Sequence, residues 1–483
     1  MIISQICDTI ALILNIIKEM NVLSEAKLSA LPENAHIHMV GIGGISMSAL
    51  AHMLRYFGYT VSGSDRCETN LTENLRSSGV EVHIGHSPEN VKDPDLVCYT
   101  AAIPKDNPEL VRARSLGIPV MERAELLGQL MLRYKFPIAV AGTHGKTTTT
   151  SMLSLILLEA ELDPTILVGG ELPQINGNYK IGKENYLVFE ACEYVESFLH
   201  FHPYISVITN VEEDHLDYFS NLNHIISSFE KFARLNSPLG CIIVCSDDKC
   251  AMTVVQNIDK KIVKYGINSR NNDIYAENIH VNDDGMTEFD VYLHGRLFTK
   301  LRLHVHGSHN VRNALAALTA AREIGIDEEH IRRGLESFSG TKRRFENVGE
   351  VNGISLIDDY AHHPTEIEST LKAAREVANG DIWCIFQPHT YSRTKAFLPR
   401  FAEALSHADR VVVADVYPAR EKYDGTIHSC DLARLITNGV YINDFDAIKR
   451  YILQNAKQGD MVITMGAGDV FKIGRALLAE NSD

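Results

Sequence analysis

Apolar residues along this chain come in short runs separated by longer amphipathic stretches, and the alternation recurs three times. Ile37–Val40 reads as a buried strand, Gly41-Ile-Gly-Gly-Ile-Ser-Met follows it, and Ala49–Phe57 has helical spacing. Thr60–Ser62, Val80–Ile84, Leu96–Thr100 and Pro119–Met121 read as further short strands. A second cycle opens at Phe136, with a strand over Ile138–Ala141, a helix from Thr148 to about Glu161, and strands at Tyr186–Glu190 and Ile205–Asn210. Residues 260–306 differ: runs such as Phe289–Leu293 and Leu301–His306 alternate in polarity between polar turns, which predicts an antiparallel patch. Asn310–Ile324 is then strongly helical. The third cycle starts near Gly340, with strands at Ser355–Asp358, Asp381–Phe386, Arg410–Ala414 and Asp460–Met465 and helices at Thr365–Glu376 and Lys395–Ser406. Such strand–helix repetition predicts an α/β protein whose mostly parallel sheets carry helices on their faces. The expected division is a helical extension and linker over 1–34, then domains over 35–122, 123–338 and 339–483.

Length and composition agree with this division. At roughly 150 residues per domain, 483 residues correspond to about three domains. With 45% hydrophobic residues, 32 Gly and 15 Pro, the chain is neither low-complexity nor fibrous. A net charge of −16 argues against nucleic acid as a general partner, because binding its backbone takes a basic face. The nine Cys form no C-x-x-C pair and read as reduced thiols of a cytoplasmic protein. Thr9–Ile17 is apolar but short and lies between Asp8 and Lys18, so neither a signal peptide nor membrane insertion is expected.

The candidate chemistry lies where strands end. Gly142-Thr143-His144-Gly145-Lys146-Thr147 sits between a strand and a helix, where backbone N–H groups can cradle polyphosphate. Lys146 would supply a point charge, and Thr147 a hydroxyl to Mg²⁺. Val140 stands where the longer phosphate-loop pattern has its first Gly. Gly41-x-Gly43-Gly44-Ile45-Ser46, with Asp65 at the end of the next strand, fits a dinucleotide turn, another nucleotide site or a plain tight turn. Glu190 ends an apolar strand and is a candidate Mg²⁺ ligand; His215, in an acid-rich loop after the next strand, is another. Asn310 and Asn313 share a helix face. His304, His306 and His309 lack the pattern of a zinc site. Arg343-Arg344 suit bidentate phosphate contacts, and Asp358-Asp359-Tyr360-Ala-His362-His363-Pro364 ends a strand and starts a helix.

Taken together, these phrases resemble the Mur ligase family, the ATP-dependent amide ligases of peptidoglycan precursor synthesis. The resemblance is carried by GIGGISMSALA from Gly41, YTAAIPKDNPE from Tyr99, AGTHGKTTTT from Ala141, EACEYVESF from Glu190, TNVEEDHLDYF from Thr209, GSHNVRNALAA from Gly307, GTKRRFE from Gly340, DDYAHHPTE from Asp358 and QPHTYSRT from Gln387. It implies an N-terminal Rossmann-like domain for a UDP-sugar, a central P-loop ATPase-like domain, and a C-terminal Rossmann-like domain. The implied reaction transfers the γ-phosphoryl of ATP to the lactyl carboxylate of UDP-N-acetylmuramic acid. L-alanine then attacks the acyl phosphate, and ADP and phosphate are released. On this resemblance Gly142, Thr143, His144, Gly145, Lys146, Thr147, Thr148, Asn310, Asn313, Arg343, Arg344 and Asp359 hold ATP, while Thr147, Glu190 and His215 hold Mg²⁺. Lys146, Glu190, His215, Arg344 and Asp359 form the catalytic set. Gly41, Gly43, Gly44, Ile45, Ser46, Ser64, Asp65, His83, Thr100, Tyr360, His362, His389 and Arg393 face substrate. Lys231 is left outside the metal set, and a monomer or weak homodimer is expected. The alternatives are a ligase that recycles murein tripeptide onto the same UDP-sugar and, on Gly41–Asp65 alone, an NAD-dependent oxidoreductase.

Overall fold

The computed structural model describes residues 28–419 and 421–479. Most of the expected N-terminal helical extension therefore lies outside the described residues. The described chain divides into two compact units. The first runs through Pro137 and includes the short segments 183–185 and 199–202; the second holds the rest.

The first unit contains five parallel strands: β1 (His36–Val40), β2 (Thr60–Asp65), β3 (Glu81–Ile84), β4 (Leu96–Tyr99) and β5 (Val120–Glu122), in the order β3-β2-β1-β4-β5. The order reverses between β1 and β4. In such sheets the crevice outside the strand ends at the reversal is where ligands bind.

The second unit holds two sheets. The central one comprises β6 (Phe136–Ala141), β7 (Thr165–Leu172), β8 (Gly177–Lys180), β9 (Tyr186–Glu190), β10 (Ile205–Ile208), β11 (Cys241–Cys245), β12 (Ile262–Gly266), β13 (Ile274–Val281), β14 (Thr287–Leu293) and β15 (Arg296–Leu303). Their order is β15-β14-β13-β12-β11-β10-β6-β9-β7-β8, which sets β6 between β10 and β9. The antiparallel patch is narrower than its pattern suggested. Only β13–β14–β15 pair antiparallel within it, while β12 runs parallel to β11 and β13 parallel to β12. The helices Lys146–Glu159 and Ser308–Glu323 are buried over most of their length against this sheet's core.

The C-terminal sheet comprises β16 (Glu346–Val351), β17 (Ile354–Asp359), β18 (Ile382–Phe386), β19 (Arg410–Val413), β20 (Gly439–Tyr441) and β21 (Met461–Met465), in the order β16-β17-β21-β18-β19-β20. Only β16 is antiparallel to its neighbour. Separate apolar clusters cover its two faces, which is why its central strands read as unbroken apolar runs. The helix expected over Lys395–Ser406 is two helices, Tyr391–Ala396 and Leu398–Leu405, with Phe397 between them. Pro399 lacks an N–H and its ring crowds the carbonyl four residues back, so one helix cannot run through it.

Candidate active site

The loop between β6 and the helix Lys146–Glu159 is strapped by the residues that follow β10. Thr143 N–H donates to the Asn210 carbonyl (3.1 Å) and His144 N–H to Asn210 Oδ1 (2.8 Å). Thr209 Oγ1 and Asn210 Nδ2 both donate to the His144 carbonyl, at 2.6 and 3.0 Å. Gly145 precedes the helix at φ +80°, and a β-carbon there would lie 2.5 Å from Asn313 Oδ1, so this position tolerates only glycine without strain. No side chain of Gly145 can cap the helix. Its first-turn amides lack intrahelical acceptors and point toward the loop, which makes the turn an anion cradle.

Lys146 Nζ donates to the Gly142 and Thr143 carbonyls and to both oxygens of Glu193 (3.2 and 3.0 Å). Burial works against the Lys146 charge, but the Glu193 carboxylate outweighs it and raises the ammonium above its ordinary value. Glu193 was passed over in the sequence because it lies beyond the strand end that flags Glu190. Glu190 accepts from Gly169 N–H. A β-carbon at Gly169 would stand 2.9 Å from Glu190 Oε1, and one at Gly170 3.1 Å from Thr147 Cγ2. The two glycines on β7 therefore make room, one for the Glu190 carboxylate and the other for the Thr147 side chain. Just beyond, Val195 and Glu196 take left-handed φ values of 49° and 55°, a conformation costing roughly 1–3 kcal/mol at such residues. The same stretch meets the loop after β10: the Tyr194 and His215 rings are 4.7 Å apart, and Tyr194 Oη donates to Asp217 Oδ2 at 2.9 Å. Lys231 pairs with Glu196 at the surface (3.1 Å).

A cavity of about 250 Å³ opens from this loop, lined among others by His144, Thr148, Asn310, Asn313, Arg344 and Asp359. Asn313 accepts from Thr149 Oγ1 (3.3 Å) and donates to Asn310 Oδ1 (3.3 Å), while Asn310 Nδ2 donates to the His306 carbonyl (2.8 Å). The pair thus ties the helix Ser308–Glu323 to the first turn of the helix that follows the phosphate loop. Asp359 accepts from the Phe345 and Ala361 amides (2.8 and 2.7 Å), and burial pushes its carboxyl up to about 6 against the pull of Arg344. Arg344 lies over the Tyr360 ring and 3.6 Å from Glu366 Oε1. Arg343 does not line the cavity; it pairs with Asp358 Oδ2 (3.1 Å) and donates to the Gly466 carbonyl (2.6 Å). Glu366 also lines the cavity. It accepts from the His362 and His363 amides and lies 3.2 Å from His144 Nδ1. Burial opposes its charge, yet His362, His144 and Arg344 hold it well below the usual carboxylate range.

The remaining candidates form a continuous string. Tyr360 and His362 rings are 5.4 Å apart, His362 and His389 rings 5.8 Å, and Arg393 Nη1 is 3.2 Å from His389 Nδ1. Arg393 then donates twice to Asp214 Oδ1, at 2.8 and 3.1 Å, and Asp214 Oδ2 lies 3.9 Å from His215 Nε2. Burial opposes the Asp214 charge, but Arg393 carries its carboxyl far below the ordinary range. Glu193, Thr209, Asn210, Asp214 and Glu366 join the candidate set here, although no individual role was expected of them; each lies inside one of the phrases that carry the family resemblance.

In the first unit the turn after β1 stands with Gly44, Ile45 and Ser46 exposed. Gly43 N–H donates to Asp65 Oδ2 (2.9 Å), and Thr100 packs against Gly41. Ser64 donates to buried Glu109 (2.5 Å), and His83 Nε2 is 3.3 Å from Glu81. Gly43, Ser64, Asp65, His83 and Thr100 lie at or just past the carboxyl ends of their strands.

Known proteins resolve the identity of this arrangement. Residues 36–135 match the model of the Mur ligase family catalytic domain, 140–321 the Mur ligase middle domain, and 343–468 the Mur ligase glutamate ligase domain. The chain belongs to the Mur ligase family. Curated Mur ligases of *Acetivibrio thermocellus* and *Alkaliphilus metalliredigens*, both called UDP-N-acetylmuramate–L-alanine ligase, are each 50% identical to it. The first alignment covers 94% of this chain and 98% of the relative, the second 92% and 97%. The crystal structure of the UDP-N-acetylmuramate-alanine ligase of *Thermotoga maritima* superposes with a TM-score of 0.77 at 33% identity, covering 93% of this chain and 99% of that one. A murein peptide ligase from *Psychrobacter arcticus* gives 0.67 at 28%, with the same coverage of both chains. Membership in a family of ATP-dependent ligases removes the oxidoreductase reading of Gly41–Asp65. No helix of the described residues is long and apolar enough to cross a membrane.

Proposed function

We propose that this Mur ligase joins L-alanine to the lactyl carboxylate of UDP-N-acetylmuramic acid, with ATP converted to ADP and phosphate through an acyl phosphate. The observation that carries the reading is the uncapped helix start with Lys146 at the mouth of a cavity bordered by Asn310, Arg344 and Asp359. Near-full-length identity of 50% to ligases of that name selects the substrates. A carboxylate is a poor acylating agent, and phosphorylation gives it a leaving group. The transfer itself needs alignment and charge neutralisation more than covalent help.

The loop amides 143–148 bind and orient the phosphates, and Lys146 offers a permanent positive charge. Arg344 supplies a second from the C-terminal side, while Asp359 and Glu366 hold its turn in place. Thr147 and Glu190 offer hard oxygen donors that suit one Mg²⁺, and His215 would serve a second. Bound there, Mg²⁺ would neutralise charge on the phosphates. Tyr360, His362, His389 and Arg393 stand toward the sugar carboxylate and the incoming amine. Residues 35–122 take the UDP-sugar, 123–338 ATP, and 339–483 the amino acid. The nucleotide-sugar substrate places the reaction in the cytoplasm, and the chain acts as a monomer or weak homodimer.

ADP release measured with UDP-N-acetylmuramic acid and either L-alanine or a murein tripeptide tests this. L-alanine is expected to drive turnover. Stimulation by tripeptide alone would transfer the chain to the recycling reaction.

A further inference from the structure

Glu109 is a buried acid that no step of the ligase reaction uses. It stands in the first turn of the helix Pro108–Ser115, where Asn107 caps the helix and accepts from the Glu109 N–H at 2.9 Å. Its side chain is fully buried. Donors from β1, β2 and the loop after β3 converge on it. Ser64 Oγ donates to Oε2 at 2.5 Å, while Asn90 Nδ2 and the Ser87 N–H donate to Oε1 at 2.5 and 3.3 Å. His86 Nδ1 lies 3.4 Å and His38 Nε2 3.7 Å from Oε2. Burial opposes the charge of Glu109, yet His38, Ser64 and Asn90 together bring its carboxyl down to about 2.

This anion sets the direction of the protons around it. Ser64 has one hydroxyl proton, and Glu109 takes it. Toward His86 Nδ1, 3.0 Å away, Ser64 Oγ can then only accept. The His86 ring therefore carries its proton on Nδ1 and keeps a lone pair on Nε2. On the other side, His38 turns Nε2–H toward Glu109, so its Nδ1 accepts from Ser62 Oγ at 2.8 Å. Ser62 accepts in turn from His36 Nε2 at 2.7 Å. One carboxylate thereby selects the tautomers of three imidazoles. Of its two imidazole neighbours His38 is fully buried, whereas the His86 side chain is 19% exposed. His86 also stands beside the turn after β1: Gly85 N–H donates to the Asp65 carbonyl at 2.8 Å, and the Asp65 carboxylate holds Gly43 N–H.

We propose that Glu109 is a positioning residue for the nucleotide-sugar: through Ser64 its carboxylate holds the His86 imidazole with Nε2 presented as an acceptor to a hydroxyl or N–H group of that ligand. The role rests on the UDP-sugar reading of this unit. Glutamine cannot replace Glu109, because donors surround both carboxylate oxygens and an amide nitrogen would face one set of them. Ser64 then regains the freedom to donate to His86, and the imidazole loses its fixed tautomer.

Ring ¹⁵N–¹H correlation spectra of the full chain at about pH 8, where imidazoles are neutral, read the tautomer directly. The His86 signals are assigned by their loss in His86→Asn. The unaltered chain should show Nδ1–H, and Glu109→Gln a mixture of both tautomers. In steady-state ligation, Glu109→Gln should raise the KM for UDP-N-acetylmuramic acid roughly tenfold, with kcat and the KM for ATP unchanged. His86→Asn should raise the same KM by a similar factor, and the double variant should raise it no further. An Nε2–H tautomer in the unaltered chain, an unchanged KM in either single variant, or a joint loss of kcat and ATP affinity in Glu109→Gln would each overturn the role. If Glu109→Gln does not fold, the tautomer of the unaltered chain and the KM of His86→Asn decide. Absence of turnover in the unaltered chain would instead remove the ligase reading, and the spectra would still decide whether Glu109 orients His86.

Discussion

Lys146 illustrates how one residue can be readable while its partner is not. The G-T-H-G-K-T phrase is local, so the lysine, its loop and its helix were all legible in the sequence. Glu193, which binds it, was not, because nothing in the spacing after β9 distinguishes a buried counter-ion from a loop acid. Glu193 is 3% exposed and Lys146 17%, so the pair is a buried one. Removing one member of a buried pair strands the other and costs roughly 3–5 kcal/mol, part of which the two carbonyl contacts of Lys146 offset. Glu193→Ala is therefore expected to lower the stability by about 2–3 kcal/mol, read from the denaturant midpoint. Lys146→Ala acts on chemistry instead. Loss of a fixed charge at the transferring phosphoryl group should cut kcat by roughly 10²–10³, while calorimetry still detects UDP-sugar binding. Turnover close to that of the unaltered chain would remove the ATP-site assignment.

At the scale of elements, the loop after β10 does more than its acid-rich composition suggested. Thr209 and Asn210 hold the phosphate loop, while Glu212, Glu213 and Asp214 reach the C-terminal part through Thr365, His363 and Arg393. One six-residue stretch thus sets the geometry of two elements distant in sequence. The strands that frame it were legible, because parallel strands buried on both faces are continuous apolar runs. The edge strand β8 and its neighbour β7 were not, since G-N-Y-K and T-I-L-V-G-G-E-L carry glycines and polar residues that serve the edge and the site. The contact between Asp214 and Arg393, 179 residues apart, has no local signature at all. Both side chains are buried, so a double-mutant cycle of Asp214→Asn and Arg393→Met should show a coupling energy of about 2–3 kcal/mol. Additive single losses would mean that the pair does not hold the C-terminal sheet to the central one. The same variants should make the junction near residues 339–343 more sensitive to limited proteolysis.

For the whole molecule, an acidic chain confines positive potential around the candidate site to loop amides, Lys146 and Arg344, with His309, His362 and His363 held neutral nearby and His144 raised. Burial lowers His309 and His362 to about 4 and His363 to about 3. Unfolding restores these imidazoles to about 6.5, so between pH 6.5 and 4 the unfolded chain binds more protons than the folded one. Their contribution to stability is present above 6.5 and lost as pH falls through that window. Glu366, held low by His362 and His144 against burial, adds a loss of the same sign below its ordinary 4.5. Two groups oppose this. Asp359, lifted by burial to about 6, contributes stability below about 3.8 that disappears as pH rises through 6. His144 is raised because Glu366 and Glu212 outweigh its burial, so its contribution is lost only as pH rises above its raised value. Near pH 5 the three neutral histidines gain protons on unfolding while Asp359 releases one, so among these groups unfolding takes up protons. Stability should then fall on acidification, measured as the denaturant midpoint across pH 4.5–6.5. A midpoint that is flat or rises on acidification would mean that the three imidazoles are already protonated in the folded chain. In that case Glu366 and Asp214 would be the counter-ions of His362 and His363 in the folded chain.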